Sequence, residues 1–96
     1  VVLCSNGYPE KYEKNIIIKN IEKLNLNENN YLFHAGTKRE DNKIYAVGGR
    51  VLNFISLSNS YFNARENINE NLEKLNWGKG FYRSDIGYKV INKWEL

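Results

Sequence analysis

Apolar positions along the chain fall into short blocks, and the spacing within each block predicts its element. Val1 to Ser5 is apolar and β-branched, and Asn6-Gly7 with Pro9 behind it supplies a turn, so the chain opens as a short strand running into a loop. Ile16-Ile17-Ile18 is a second short strand, and the three-residue step from Ile21 to Leu24 allows one helical turn. After the polar connection Asn25 to Asn30, strand chemistry resumes from Tyr31 to Thr37, with Tyr31, Phe33 and Ala35 on one face and Leu32 on the other. The charged segment Lys38 to Lys43 reads as the turn of a β-hairpin that returns through Ile44-Tyr45-Ala46-Val47. Gly48-Gly49 interrupts the pattern before it restarts at Val51, Leu52, Phe54, Ile55 and Leu57, which predicts a bulge or sharp bend inside a long strand.

The strongest periodic signal follows. Ser60 is placed to cap a helix in which Tyr61, Ala64, Ile68, Leu72 and Leu75 fall within about 80° of one another at 100° per residue. Arg65, Glu66, Asn69, Glu70 and Glu73 take the opposite, wet side, and Trp77-Gly78 ends the helix. The tail from Phe81 to Leu96 carries aromatics at 81, 82, 88 and 94 around an Asp85-Ile86-Gly87 turn. Strands before and after one amphipathic helix define an α+β domain, with the helix packed on a mainly antiparallel β-sheet.

Ninety-six residues, 42% of them apolar, fit one such domain, 1-96, and leave little material to enclose a deep substrate cavity. An active site here is expected to be shared with something else. The absence of Met reads as a piece of a longer chain or a removed initiator. One Cys and one His rule out an internal disulfide and a structural Cys/His zinc site. The lone Cys and the lack of a signal pattern or a run near ~20 apolar residues point to a cytoplasmic protein without a membrane partner. The net charge of +3 admits a nucleic-acid partner, but the charges interleave as Glu10-Lys11, Glu13-Lys14, Glu22-Lys23, Arg39-Glu40 and Arg65-Glu66, the pattern of a solvated mixed surface.

No catalytic template emerges. His34 stands in a strand, where a hydrogen-bonded sheet residue is the expected role, and no signature pairs it with Cys4, Ser56 or Ser58. Glu40 and Asp41 lie in a turn, and Gly78-Lys79-Gly80 is a helix stop and not a phosphate loop. Gly48-Gly49-Arg50 is different in kind. Paired glycines let backbone amides approach a ligand, and the adjacent guanidinium is a planar fork suited to phosphate oxygens. A β-bulge beside a surface Arg is the alternative.

Four segments, Gly7-Tyr8-Pro9-Glu10-Lys11-Tyr12, Phe33-His34-Ala35-Gly36-Thr37-Lys38, Gly48-Gly49-Arg50-Val51-Leu52 and Phe81-Tyr82-Arg83-Ser84-Asp85-Ile86-Gly87-Tyr88, closely resemble in order and spacing the C-terminal domain of the phosphoribosylamine-glycine ligase family. The resemblance runs from Val1 to about Tyr88. It implies a C-terminal domain of a larger ligase of the ATP-grasp superfamily, which uses ATP and a divalent metal, Mg or Mn, to join glycine to 5-phosphoribosylamine in purine biosynthesis. It also implies that the ATP clamp and the metal carboxylates lie in central domains outside these residues, so that this chain alone is inactive and binds neither cofactor. The N-terminal and central ATP-grasp domains of the same polypeptide are the implied partners, with this domain walling the substrate site. Gly48, Gly49 and Arg50 are then candidates to face the phosphoribosylamine phosphate, and no residue is assigned to catalysis or to metal. Two places depart from the family pattern: Val47 stands where a small or polar residue is usual, often Asn or Ser, and Ser58-Asn59-Ser60 replaces a Gly and an acidic-Thr helix start. Ser60 and Asn63 retain a weakened capping box.

The competing reading from a different class is a small basic β-rich module that stacks single-stranded nucleic acid on Tyr8, Tyr12, Tyr31, Tyr45, Phe54 and Trp94. Core strands need aromatics in any case, and interleaved charges do not make a phosphate track, so the ligase reading leads and no nucleic-acid partner is expected.

Overall fold

The computed structural model describes residues 1–86. Among these residues seven strands, one 3-10 turn and one α-helix follow one another as β1 (Val2–Ser5), β2 (Ile16–Ile18), a 3-10 turn (Ile21–Lys23), β3 (Asn30–His34), β4 (Thr37–Glu40), β5 (Lys43–Ala46), β6 (Arg50–Ser56), α1 (Tyr61–Leu75) and β7 (Gly80–Phe81). All pairings are antiparallel, as expected, but they divide into two sheets, β3-β6-β1-β7 and β2-β5-β4.

The division arises in one long hairpin whose two arms change sheets at the same level. Its tip is tighter than the charge pattern predicted: Lys38 to Glu40 is strand, and only Asp41 and Asn42 turn, both with positive φ (53° and 62°). That left-handed pair matches the right-handed twist of the flanking strands, and short polar side chains tolerate it. Further down, Ala35-Gly36 on one arm faces Val47-Gly48-Gly49 on the other, and both arms bend there to leave β4 and β5 and become β3 and β6. The expected bend at the glycine pair is therefore present. The bulge lies just beyond it, in the stretch Arg50 to Leu52, because Leu3 pairs with Leu52 and Cys4 with Arg50, skipping Val51.

The core is a cluster of Leu3, Ile18, Leu24, Ala46, Val51, Leu52, Phe54, Leu72 and Leu75, contributed by both sheets, the residue that follows the 3-10 turn, and α1. Ser60 caps α1, its Oγ accepting the Asn63 N–H at 3.0 Å, and Asn76 closes it in the left-handed conformation (φ 47°) with its N–H on the Leu72 carbonyl. The stop therefore falls on Asn76, one residue before the Trp77-Gly78 pair that the sequence suggested. Trp77 instead serves as a clamp, its indole N–H donating to the Ile17 carbonyl at 3.0 Å. Only the C-terminal part of the helix stripe is core: Leu72 and Leu75 are buried and Ile68 is half-buried, but Tyr61 is 61% exposed. At 1.5 Å per residue, Tyr61 stands about 21 Å along the axis from Leu75, at the far end of the helix from that core. The tail aromatics at 88 and 94 lie outside the described residues.

Candidate functional site

The bend is held by backbone bonds before any side chain acts. Gly36 donates to the Arg50 carbonyl at 2.9 Å, and its own carbonyl accepts from Val47 (2.8 Å) and Gly48 (3.2 Å). From the β1 side, Ser5 N–H reaches the Gly49 carbonyl at 2.7 Å and Ser5 Oγ the Gly48 carbonyl at 2.9 Å. Each glycine has an identifiable reason. A Cβ on Gly36 would lie 2.7 Å from Gly48 Cα, so the two arms cross too closely for side chains. A Cβ on Gly49 would run into the Tyr8 ring. The Gly48 amide is thus committed to Gly36, Gly49 is buried under the Tyr8 ring, and what the bend offers to solvent is Arg50.

Gly49 and Arg50 open onto a concavity of about 420 Å³ lined by Val2, Tyr8, Ala35, Gly49, Arg50 and Asn53. Tyr8 arrives on the loop after β1, where its N–H donates to the Ser5 carbonyl at 3.1 Å and its ring meets Tyr12 at 6.1 Å between centroids. Asn53 projects from β6 on the side opposite the buried Leu52 and Phe54. Arg50 is exposed and pairs with no carboxylate among the described residues. Beside it, Cys4 feels two opposing effects: burial pushes the thiol up and the guanidinium pulls it down, with burial the larger, so the thiol stays protonated beyond its ordinary range. The chemistry on offer is recognition of an anion by a fork-shaped cation, with a phenol and an amide at its rim.

The three sequence candidates, Gly48, Gly49 and Arg50, therefore sit together, with both glycines in the scaffold and Arg50 alone exposed. Tyr8 and Asn53 were not assigned to this site from sequence. Asn53 had a signal, a polar residue at an outward position within an apolar strand, whereas Tyr8 is brought in by the loop path and had none. His34 is exposed and its Nδ1 lies 2.9 Å from Thr37 Oγ1, a local contact across the strand exit and away from the concavity lining. The aromatics of the nucleic-acid reading do not form a platform: Phe54 is 1% exposed in the core, Tyr31 and Tyr45 belong to different sheets, and Trp94 is outside the described residues. Among the described residues there is no group of three or more His, Cys, Asp or Glu side chains able to hold a metal ion, and no helix long and apolar enough to cross a membrane.

Comparison with known proteins adds independent findings. A family model described as phosphoribosylglycinamide synthetase, C domain, matches residues 1–89. The chain is 40% identical over 93 residues to a phosphoribosylamine–glycine ligase of Brucella melitensis, covering 97% of this chain and 22% of that protein. It is 42% identical over 88 residues to the enzyme of that name from Fusobacterium nucleatum, covering 91% and 21%. A chloroplastic phosphoribosylamine–glycine ligase of Arabidopsis thaliana is 39% identical over 95 residues, covering 97% and 18%. Among solved structures, the phosphoribosylamine–glycine ligase of Thermotoga maritima superposes with a TM-score of 0.68 at 34% identity, over 88% of this chain and 20% of that one. The chain thus spans about a fifth of the length of the relatives it matches.

Proposed function

Since the chain belongs to the phosphoribosylglycinamide synthetase C-domain family, we propose that it works as the C domain of an ATP-dependent ligase that joins glycine to 5-phosphoribosylamine. The observation that carries this reading is the match along nearly the whole chain to one end-domain of enzymes of that name, at the level of sequence and of fold together. In such an enzyme ATP and a divalent metal activate the glycine carboxylate. In this reading the ATP and metal sites belong to the other domains, and this chain's work is to bind and to enclose; among the described residues there is no group of three or more His, Cys, Asp or Glu side chains able to hold a metal ion.

Within that division of labour, Arg50 is the anchor for the phosphate of phosphoribosylamine. A dianion leaving water needs charge-assisted donors, and a guanidinium that pairs with no carboxylate among the described residues presents two parallel ones beside the glycine bend. Gly49 leaves the space that the Tyr8 ring occupies, and Tyr8 and Asn53 supply polar groups at the edge of the same concavity. The nucleophilic amine lies at the opposite side of the ribose from the phosphate, so these groups position the substrate and take no proton.

The test is formation of glycinamide ribonucleotide by the ligase carrying this domain. Product is expected with ATP, glycine and phosphoribosylamine all present, and no product when residues 1–96 are removed. A protein that makes product equally well without them would refute the assignment.

A further inference from the structure

The four-stranded sheet has two faces, and α1 covers one. Leu3 and Ser5 of β1 and Leu52 and Phe54 of β6 point inward to the core, so the alternate positions point the other way. Cross-strand partners share a face, which assembles the outer surface row by row. Phe33, Asn53 and Val2 form one row across β3, β6 and β1; Tyr31 and Ile55 form a second; Arg50, Cys4 and Phe81 form a third across β6, β1 and β7. Apart from Asn53 and Arg50 these rows are apolar or carry a thiol or a phenol, and they remain open, with Phe33 55% exposed and its ring stacked on Tyr31 at 6.3 Å. An apolar groove of about 350 Å³ continues the surface past β1, lined by Val2, Cys4, Tyr8, Pro9, Phe81 and Ile86 among others.

We infer that this outer face of the four-stranded sheet is where the remaining domains of the ligase dock, presenting an apolar surface that covers Val2, Phe33 and Phe81 and closes the Arg50 concavity from above. The inference rests on the ligase reading and adds the face and its occupant. Three features favour that occupant. The relatives are about five times longer than this chain, so a large polypeptide has to be accommodated against it. The surface is continuous with the candidate site, because Val2 and Tyr8 line both the groove and the concavity. The other exposed apolar side chains, among them Leu26, Leu57, Tyr61 and Phe62, line neither the groove nor the concavity, and the outer side of α1 and β4 carries charge in Glu66, Glu70, Lys74, Lys38, Arg39 and Glu40.

Cys4, the only cysteine of the chain, lies in this face and reports on its coverage. Iodoacetamide alkylation followed by mass analysis of the Cys4 peptide is to be compared between the 96-residue chain and the ligase containing it. A docked interface opens only transiently, so the rate in the ligase is expected to be at least roughly tenfold lower. Phe33→Glu with Phe81→Lys, both at exposed positions, should return the ligase rate towards that of the isolated chain. Thermal melting of the same double variant in the 96-residue chain should show the fold unharmed, and if it is lost, Phe33→Glu alone carries the test. Equal Cys4 rates in a ligase that still makes product would overturn the docking face while leaving the ligase reading intact. Protection in the isolated chain that grows with its concentration would overturn it in favour of a second copy. Protection that is lost on deleting residues 87–96 would overturn it in favour of the chain's own tail.

Discussion

At the scale of single residues, Arg50 has a measurable consequence of its own. Hydrogen bonds to charged groups are worth about 1.5 to 3 kcal/mol, so Arg50→Ala in the ligase should raise KM for phosphoribosylamine roughly tenfold or more and leave ATP and glycine binding largely unchanged. Arg50→Lys should recover only part, because a point charge does not reproduce the fork. Since Arg50 pairs with no acid among the described residues, the melting temperature of the alanine variant should stay close to that of the parent. Unchanged kinetics would withdraw the anchor role. The glycines make a contrasting pair. Gly36→Ala meets backbone at Gly48 and Arg50, which cannot move without unpicking the bend, so a loss of about 1 to 3 kcal/mol is expected from chemical denaturation. Gly49→Ala meets the Tyr8 ring first, so it should displace Tyr8 and weaken phosphoribosylamine binding.

Among elements, α1 is the decisive one. Leu72 and Leu75 enter the same cluster as Val51, Leu52 and Phe54, and Leu72→Ala should cost about 2 to 5 kcal/mol, enough to unfold much of so small a domain. Tyr61→Ala, on the same predicted stripe, should cost far less because the ring is largely solvated. Equal melting temperatures for the parent and Leu72→Ala would contradict the packing described above. The helix is also tied at its end: Asn20 donates to the Leu75 carbonyl at 3.2 Å, and Asn71 accepts the Asn25 N–H at 2.8 Å while donating to its carbonyl at 3.2 Å. Asn20, Asn25 and Asn71 thus tie α1 to the polar connection before β3.

For the whole molecule, the expected behaviour of the 96-residue chain is that of a domain without its enzyme. Calorimetry with ATP and magnesium should give no binding, and micromolar affinity would move the nucleotide site into this chain. Interleaved charges and scattered aromatics should likewise give little binding to a single-stranded oligonucleotide near physiological salt. Low-micromolar affinity with a steep salt dependence would restore the nucleic-acid reading.

Local chemistry determined a good part of this protein. The strands at Val2–Ser5, Ile16–Ile18 and Tyr31 onwards, the Ser60 cap, the helix and the bend at Gly48-Gly49 are written in propensity, period and backbone freedom, which act over a few residues and need no partner. The four motifs in register were enough to identify the family, and Gly48-Gly49-Arg50 was legible as a candidate because its residue types carry their chemistry locally. Other features depended on distant parts of the chain. That Lys38 to Glu40 would be strand follows from the partner β5 and the two-residue tip, against the pull of charge towards solvent. That one hairpin feeds two sheets, that Gly48 spends its amide on Gly36, and that Tyr8 overhangs Gly49 are each settled by contacts between segments more than ten residues apart. The period of two places Tyr31 and Phe33 together, but it does not say which side faces α1; that choice belongs to the packing of the whole domain, where the helix covers one face of the sheet and leaves the aromatic one open.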